Sequence, residues 1–267
     1  MNDFNKSDTE PINLNKIYQV AIAAAYHAGQ VLNRNYGQLK HVKKKGAIDL
    51  VTEADLESEK TIKKIIQDQF PEHGIIAEES GIKTSQTPYE WIIDPLDGTT
   101  NYAHQIPIFA VSIAFVVNKA PVVGVVFNPA AQDLFTSIKA MGASYNGQSI
   151  RVSQTKELSE SVLVTGFPYN LQEIIDPLMT RFATCLQSAQ AVRRLGAAAL
   201  DLCFIASGRF EGFWEQNLKP WDTAAGMLIA KEAGAHITNF SNETYHYEMP
   251  EIAATNGFIH QDFLQCL

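Results

Sequence analysis

Cysteine is scarce in this chain. There are three in 267 residues, Cys185, Cys203 and Cys266, and no two form a CxxC pair. An odd, scattered set excludes a disulfide framework and gives no local support to thiolate metal binding or cysteine nucleophiles. The three are expected to be small buried hydrophobes in a reducing compartment. Positive charge is also short: 21 Lys and Arg stand against 29 Asp and Glu, a net charge of −8. That balance disfavours a general nucleic-acid binder, and the one basic run, Lys43, Lys44 and Lys45, reads as a solvated loop. Long hydrophobic runs are missing too. FAVSIAFVV is among the longest, far short of the roughly 20 residues that cross a bilayer. The polar start, MNDFNKSDTEPIN, has no signal core and reads as a loose tail over residues 1–12. Repeats, low-complexity tracts and long linkers are absent. The expectation is a soluble, cytoplasmic protein with one domain over 13–267, made of halves 13–152 and 153–267.

What is present alternates between helix and strand signals. Leu14, Ile17, Ala21, Ala24, Ala28, Val31 and Leu32 recur at helical spacing up to Gly37. KKKG reads as a turn before the apolar run 48–51. Thr52 reads as an N-cap with Asp55 at the third helical position, opening a helix to Phe70 ahead of Pro71. GIIAEES and WIID read as short buried strands with acidic ends. Residues 108–151 alternate like a β-meander, with turns at Asn118–Pro121 and Asn146–Gly147. Further strands are predicted in SVLVTGFP, RFEGFWEQ, HITNF and IAATN, and helices over 171–187, 196–208 and 221–235. This mixture predicts a layered α/β fold whose first sheet is substantially antiparallel.

Acids at the ends of buried strands carry the chemistry. Asp49 precedes LVT, Glu78 and Glu79 end GIIA, Asp94 ends WII, Asp97 follows at once, and Asp222 opens a later helix. Singly, each has a plain alternative: Asp222 as a helix N-terminal carboxylate, Asp49 as a cap, Glu79 as a solvated acid. Asp94 and Asp97 together are harder to explain away, because two carboxylates about 4 Å apart repel by about 4 kcal/mol at an effective dielectric near 20. WIIDPLDGTT holds no basic neighbour, so the pair either raises a pKa or binds cations. Oxygen-only donors favour Mg²⁺ or Mn²⁺. Pro95 is expected to stop the strand and Gly98 to turn the chain, so that the amides of Gly98 and Thr99 face outward as an anion site. Metal on one side and amides on the other suit phosphoester hydrolysis.

At these residues the sequence resembles the inositol monophosphatase family, in particular its bacterial SuhB-type branch. The resemblance runs from about Leu14 to Gly257 on DLVTEAD, AEESG, WIIDPLDGTTN, TGFP, RRLGAAALDL and KPWDTAAG. It implies the layered αβαβα sandwich of the inositol monophosphatase and fructose bisphosphatase-like superfamily, as a homodimer. It implies one Mg²⁺ on Glu78, Asp94 and the Leu96 carbonyl, a second on Asp94, Asp97 and Asp222, and a weaker third near Glu78, with Mn²⁺ as a substitute. By the same resemblance Asp49, Glu78 and Thr99 are catalytic, Asp49 and Thr99 orienting the attacking water. Gly98 and Thr99 take the phosphate. Asp97, Gly196, Ala197, Ala198 and Glu215 meet the sugar hydroxyls. Hydrolysis is then an in-line attack by metal-activated water without a phosphoenzyme, and lithium inhibition is expected. Ala197 stands where relatives carry Ser or Thr, which removes one side-chain contact.

Three functions stay open at this point. The first is Mg²⁺-dependent hydrolysis of myo-inositol 1-phosphate and similar polyol monophosphates. The second is the same chemistry as a bisphosphate nucleotidase, histidinol phosphatase or fructose bisphosphatase, although Thr100 and Asn101 follow the inositol-phosphatase pattern. The third is an additional non-catalytic role in transcription or RNA complexes, mediated by a protein partner. Arg193 and Arg194 are read as dimer packing or a solvated edge, with substrate contact the minor alternative, and His104 as a surface residue.

Overall fold

The structure is a computed structural model describing residues 12–38, 42–44, 50–168 and 171–267. The expected tail (except Ile12) and Asp49 lie outside the described residues. Helix α1 (Leu14–Asn35) is capped by Asn13, whose side chain accepts from the Lys16 N–H at 3.1 Å. Its buried stripe runs through Ile17, Ala21, Ala24, Ala28 and Leu32, the three-and-four spacing of an amphipathic helix. Of KKKG, read as a turn, Lys43 and Lys44 lie in β1 (Val42–Lys44), which pairs antiparallel with β2 (Leu50–Thr52), and Lys45 and Gly46 lie outside the described residues. Thr52 closes a capping box with Asp55 and starts α2 (Glu53–Gln69).

There follow β3 (Gly74–Ala77), β4 (Gly81–Lys83), β5 (Tyr89–Asp97), α3 (Thr99–Ala103), β6 (Ala110–Val117), β7 (Ala120–Asn128), β8 (Asp133–Ile138), β9 (Ala143–Tyr145) and β10 (Gln148–Ile150). The later part contains β11 (Val162–Thr165), α4 (Leu171–Ser188), β12 (Ala191–Arg193), α5 (Ala198–Ala206), β13 (Gly212–Gln216), α6 (Pro220–Glu232), β14 (His236–Thr238), β15 (Glu251–Thr255) and α7 (His260–Leu264). One sheet has the order β10-β9-β8-β7-β6-β5-β3-β4 and another β12-β11-β13-β15-β14. In the first, only β3 and β5 run parallel, as expected of a largely antiparallel sheet.

The two-residue period of the strands sorts side chains into layers. On β6, Val111, Ile113 and Phe115 pack with Ile17 and Leu32 of α1 and Ile62 and Ile66 of α2. Ala110, Ala114 and Val116 point the other way, toward Leu202 of α5, Ile229 of α6 and Phe213 of β13. In the second sheet Val164, Phe213 and Ala254 face α5 and α6, while Leu163, Trp214 and Ala253 face Cys185 of α4 and Phe263 of α7. The order is helix, sheet, helix, sheet, helix: the αβαβα sandwich.

Pro95 does not stop its strand. β5 continues to Asp97, but its pairing with β6 goes from Asp94–Ser112 to Asp97–Ala110. Three steps on one strand thus match two on the other, a bulge of one residue, placed where proline has no N–H to offer the ladder. In an unbroken strand residues 94 and 97 would face opposite sides. The extra residue brings both acids to the same side, and Ile93 and Leu96 together to the other.

Candidate active site

The bulge end of β5 opens into a cleft of about 1070 Å³. Glu78 enters it from the bend after β3, where its N–H bonds Ile93 O at 3.2 Å. Asp94, Leu96 and Asp97 come from β5, Gly98 and Thr99 from the turn into α3, and Asp222 from the first turn of α6. Gly196, Ala197 and Ala198 line it from the start of α5, and Glu215 from β13. Every predicted site residue but Asp49 is therefore brought to one place, by elements from both halves of the chain.

The acids sit in an environment hostile to their charge. Asp94 is 2% exposed and Asp97 9%. Burial pushes Asp94 well above the usual carboxylate range, and Glu78, Asp97 and Asp222 push it further, against the relief of the Leu96 N–H. Burial, then Asp222, raises Asp97 similarly, against the Ala199 N–H. Glu215 is raised by burial, then by Asp222 and Asp97, and relieved in part by Arg194. Three of the acids have a backbone anchor: Asp94 Oδ1 accepts from Leu96 N at 2.9 Å, Asp97 Oδ2 from Ala199 N at 2.8 Å and Asp222 Oδ2 from Lys219 N at 2.7 Å.

Among the described residues no three His, Cys, Asp or Glu side chains already form an ion cage. The donor chemistry nevertheless fits a hard divalent cation: the ligands are oxygens, two of the acids are buried, and neither Asp94 nor Asp97 has a Lys or Arg ion pair among those residues. A small hard cation relieves such a cluster where no protein cation does.

Asp55 is a candidate site residue that sequence reasoning gave only a structural part. One oxygen, Oδ2, accepts from Thr52 N at 2.8 Å and from Thr52 Oγ1 at 2.5 Å. The other, Oδ1, faces Thr99 Oγ1 at 3.2 Å, which also lies 3.0 Å from Leu96 O. Asp55 is fully buried, and burial lifts its pKa to about 7 against the two Thr52 hydrogen bonds, with Glu79 and Glu78 adding to the rise. The partner beside Thr99 among the described residues is thus Asp55. A signal was available: Asp55 falls on the core-facing stripe of α2 with Ser58, Glu59, Ile62 and Ile66, where an acid needs a reason. Glu59 has one too, since its Oε2 accepts from Glu79 N at 2.9 Å and so steadies the Glu78 bend.

Gly98 has φ +86°, and a side chain there would meet Ile108 O at 2.9 Å and Gly196 O at 3.1 Å. The turn is thus pressed against the loop before α5 as only glycine allows. Asn101 sews the same two loops together, its Nδ2 donating at 2.8 Å to both Ile108 O and Leu195 O. Ala197 gives α5 no side-chain cap. Arg193 is exposed and donates to Val192 O at 3.1 Å. Arg194 is exposed too, as a solvated edge would be, and it also lines the cleft, the position that the minor alternative of substrate contact needs. His104 is exposed, as expected. All three cysteines are buried, although Cys185 and Cys266, distant in sequence, share one small core. No described helix is long and apolar enough to cross a membrane.

The sequence model of the inositol monophosphatase family matches residues 13–266. An inositol-1-monophosphatase of Synechocystis sp. is 41% identical over 100% of this chain and 94% of its own. The Nus factor SuhB of Haemophilus influenzae is 38% identical over 94% of this chain and 95% of its own. The crystal structure of the extragenic suppressor protein suhB from Bartonella henselae superimposes with a TM-score of 0.91 at 36% identity, covering 94% of this chain and 98% of that one.

Proposed function

The chain belongs to the inositol monophosphatase family and is a phosphatase, and from that premise we propose that it hydrolyses myo-inositol 1-phosphate and related sugar or polyol monophosphates with Mg²⁺. The observation that carries this reading is the buried Asp94–Asp97 pair, turned to one side by the bulge and sharing a cleft with Glu78, Asp222 and Glu215. Glu78, Asp94 and the Leu96 carbonyl would hold one ion; Asp94, Asp97 and Asp222 a second; a third would sit near Glu78, and Mn²⁺ would substitute. Bound divalent ions supply positive charge for the phosphoryl oxygens and acidify water.

The rest belongs to the chain. The Gly98 turn offers the backbone amides of Gly98 and Thr99 to the phosphate. Thr99 Oγ1 orients the attacking water and hands a proton to Asp55 Oδ1, which is ionised above about pH 7. Asp97, Glu215 and the backbone of Gly196–Ala198 receive the hydroxyls of the alcohol. We place the enzyme in the cytoplasm as a lithium-sensitive homodimer with one domain over 13–267. A relative named as a Nus factor favours an additional regulatory role through a protein partner, since a net charge of −8 opposes direct RNA affinity.

Phosphate release by purified protein with millimolar Mg²⁺ tests the reading. kcat/KM is expected to be highest for inositol 1-phosphate in a panel with adenosine bisphosphate, histidinol phosphate and fructose bisphosphate. Failure to release phosphate from inositol 1-phosphate would overturn it.

A further inference from the structure

Arg194 is a charged cleft residue with no part in the chemistry above. Its guanidinium lies over Gly196, where a methyl group would come within 2.5 Å of Nη1, and its Cζ is 5.9 Å from the centroid of the Phe167 ring. It is exposed, and among the described residues no acceptor takes a hydrogen bond from it, so its five N–H donors are open to solvent or to a ligand in the cleft. Glu215 is the converse. Its carboxylate is packed onto Gly166, in space that a side chain there would fill. It is 8% exposed and accepts no hydrogen bond from any described group. A donor fork and a bare acceptor thus share one cleft.

We propose that Arg194 grips a hydroxyl of the alcohol being released, next to the one that Glu215 receives, and thereby selects a hydroxylated, uncharged leaving group. This rests on the polyol-phosphate reading above. The location suits it: Gly196, beneath the guanidinium, touches the Gly98 turn, so the gripped hydroxyls lie close to the phosphorylated carbon. Hydroxyls both donate and accept, which answers a fork and a carboxylate together, and the Phe167 face takes the ring's C–H side. A second phosphate or a carboxylate fits worse. The single Arg194 charge already acts on two acids, Glu215 and Asp201. Asp201 is fully buried with neither oxygen hydrogen-bonded. The bare Glu215 carboxylate in the same cleft would repel another anion placed beside it.

The test compares kcat/KM for inositol 1-phosphate with that for p-nitrophenyl phosphate, whose leaving group has no hydroxyls to grip. Arg194→Met is expected to lose about 10- to 100-fold on the inositol ester and less than about threefold on the nitrophenyl ester. Arg194→Lys, which keeps the charge but not the fork, is expected to fall between. Both substrates are read on one preparation, so loss of folded protein or of subunit association cancels. Equal losses on the two esters, or none, in both variants overturn the proposal. Wild-type enzyme with no preference for the inositol ester would instead overturn the polyol reading on which it stands.

Discussion

Replacing Asp55 by Asn separates what this acid does for the fold from what it does for the reaction. In the native protein Oδ2 accepts both hydrogen bonds from Thr52, and an Asn carbonyl serves there equally well. The amide –NH₂ would then face Thr99 Oγ1, whose proton has an alternative acceptor in Leu96 O at 3.0 Å. The shape is kept and the charge is gone. The native pKa of about 7 lies above the ordinary 3.8, so the unfolded chain gives up this proton first. Stability is lost as pH rises from about 4 through 7, in total about 4 kcal/mol, of which about 3 falls between pH 5 and 8. For a chain of this size 1 kcal/mol moves Tm by about 2–4 °C. In chelator-treated protein, Asp55→Asn is therefore expected to gain about 5–10 °C on wild type between pH 5 and pH 8, by calorimetry. With Mg²⁺, its kcat should fall by about 10²- to 10⁴-fold. Wild-type kcat/KM should rise with pH through about 7, and the variant should lack that limb. A variant that keeps wild-type kcat, or whose Tm difference is the same at both pH values, would refute the reasoning.

Two further substitutions probe the turn and the ions. Gly98→Ala forces a methyl into a left-handed turn against two backbone carbonyls. It should cost about 2–4 kcal/mol, read as a drop in denaturation midpoint, with kcat reduced as the amides shift. Asp94→Asn removes the acid shared by both proposed ions, so calorimetric Mg²⁺ binding and Mg²⁺-dependent thermal stabilisation should both vanish. The ion-free variant should be at least as stable as ion-free wild type, because one repelled charge has left the cluster. Unchanged Mg²⁺ titration would count against the ligand assignment.

Local chemistry was legible wherever it is settled within a few residues. The Thr52 cap, the Asn118–Pro121 turn and the Asn146–Gly147 hairpin are all found, the last with φ of +48° and +79°. The acids were legible because a carboxylate ending an apolar run is costly without a partner. Effects set by distant neighbours were not. Pro95 reads as a stop, yet pairing with β6 carries β5 past it. Asp55 reads as a cap because Thr99, 44 residues away, is invisible to a local pattern. Arg194 reads as surface and is exposed, but that it borders the cleft depends on the loop before α5, which Asn101 holds from a distance. β12 and α7, of 3 and 5 residues, are too short to show a period.

The bulge at Pro95 makes the pairing register there as inviolable as the identity of the residues. A sheet keeps time in twos, and this enzyme has slipped one beat between Asp94 and Asp97 to put both acids in phase. Ironing out that beat while keeping every residue would return the strand to its ordinary rhythm and hide one acid behind the wall. An evolving lineage is thus free to exchange Leu96 for another apolar residue but not to pair the three steps from Asp94 to Asp97 regularly with β6.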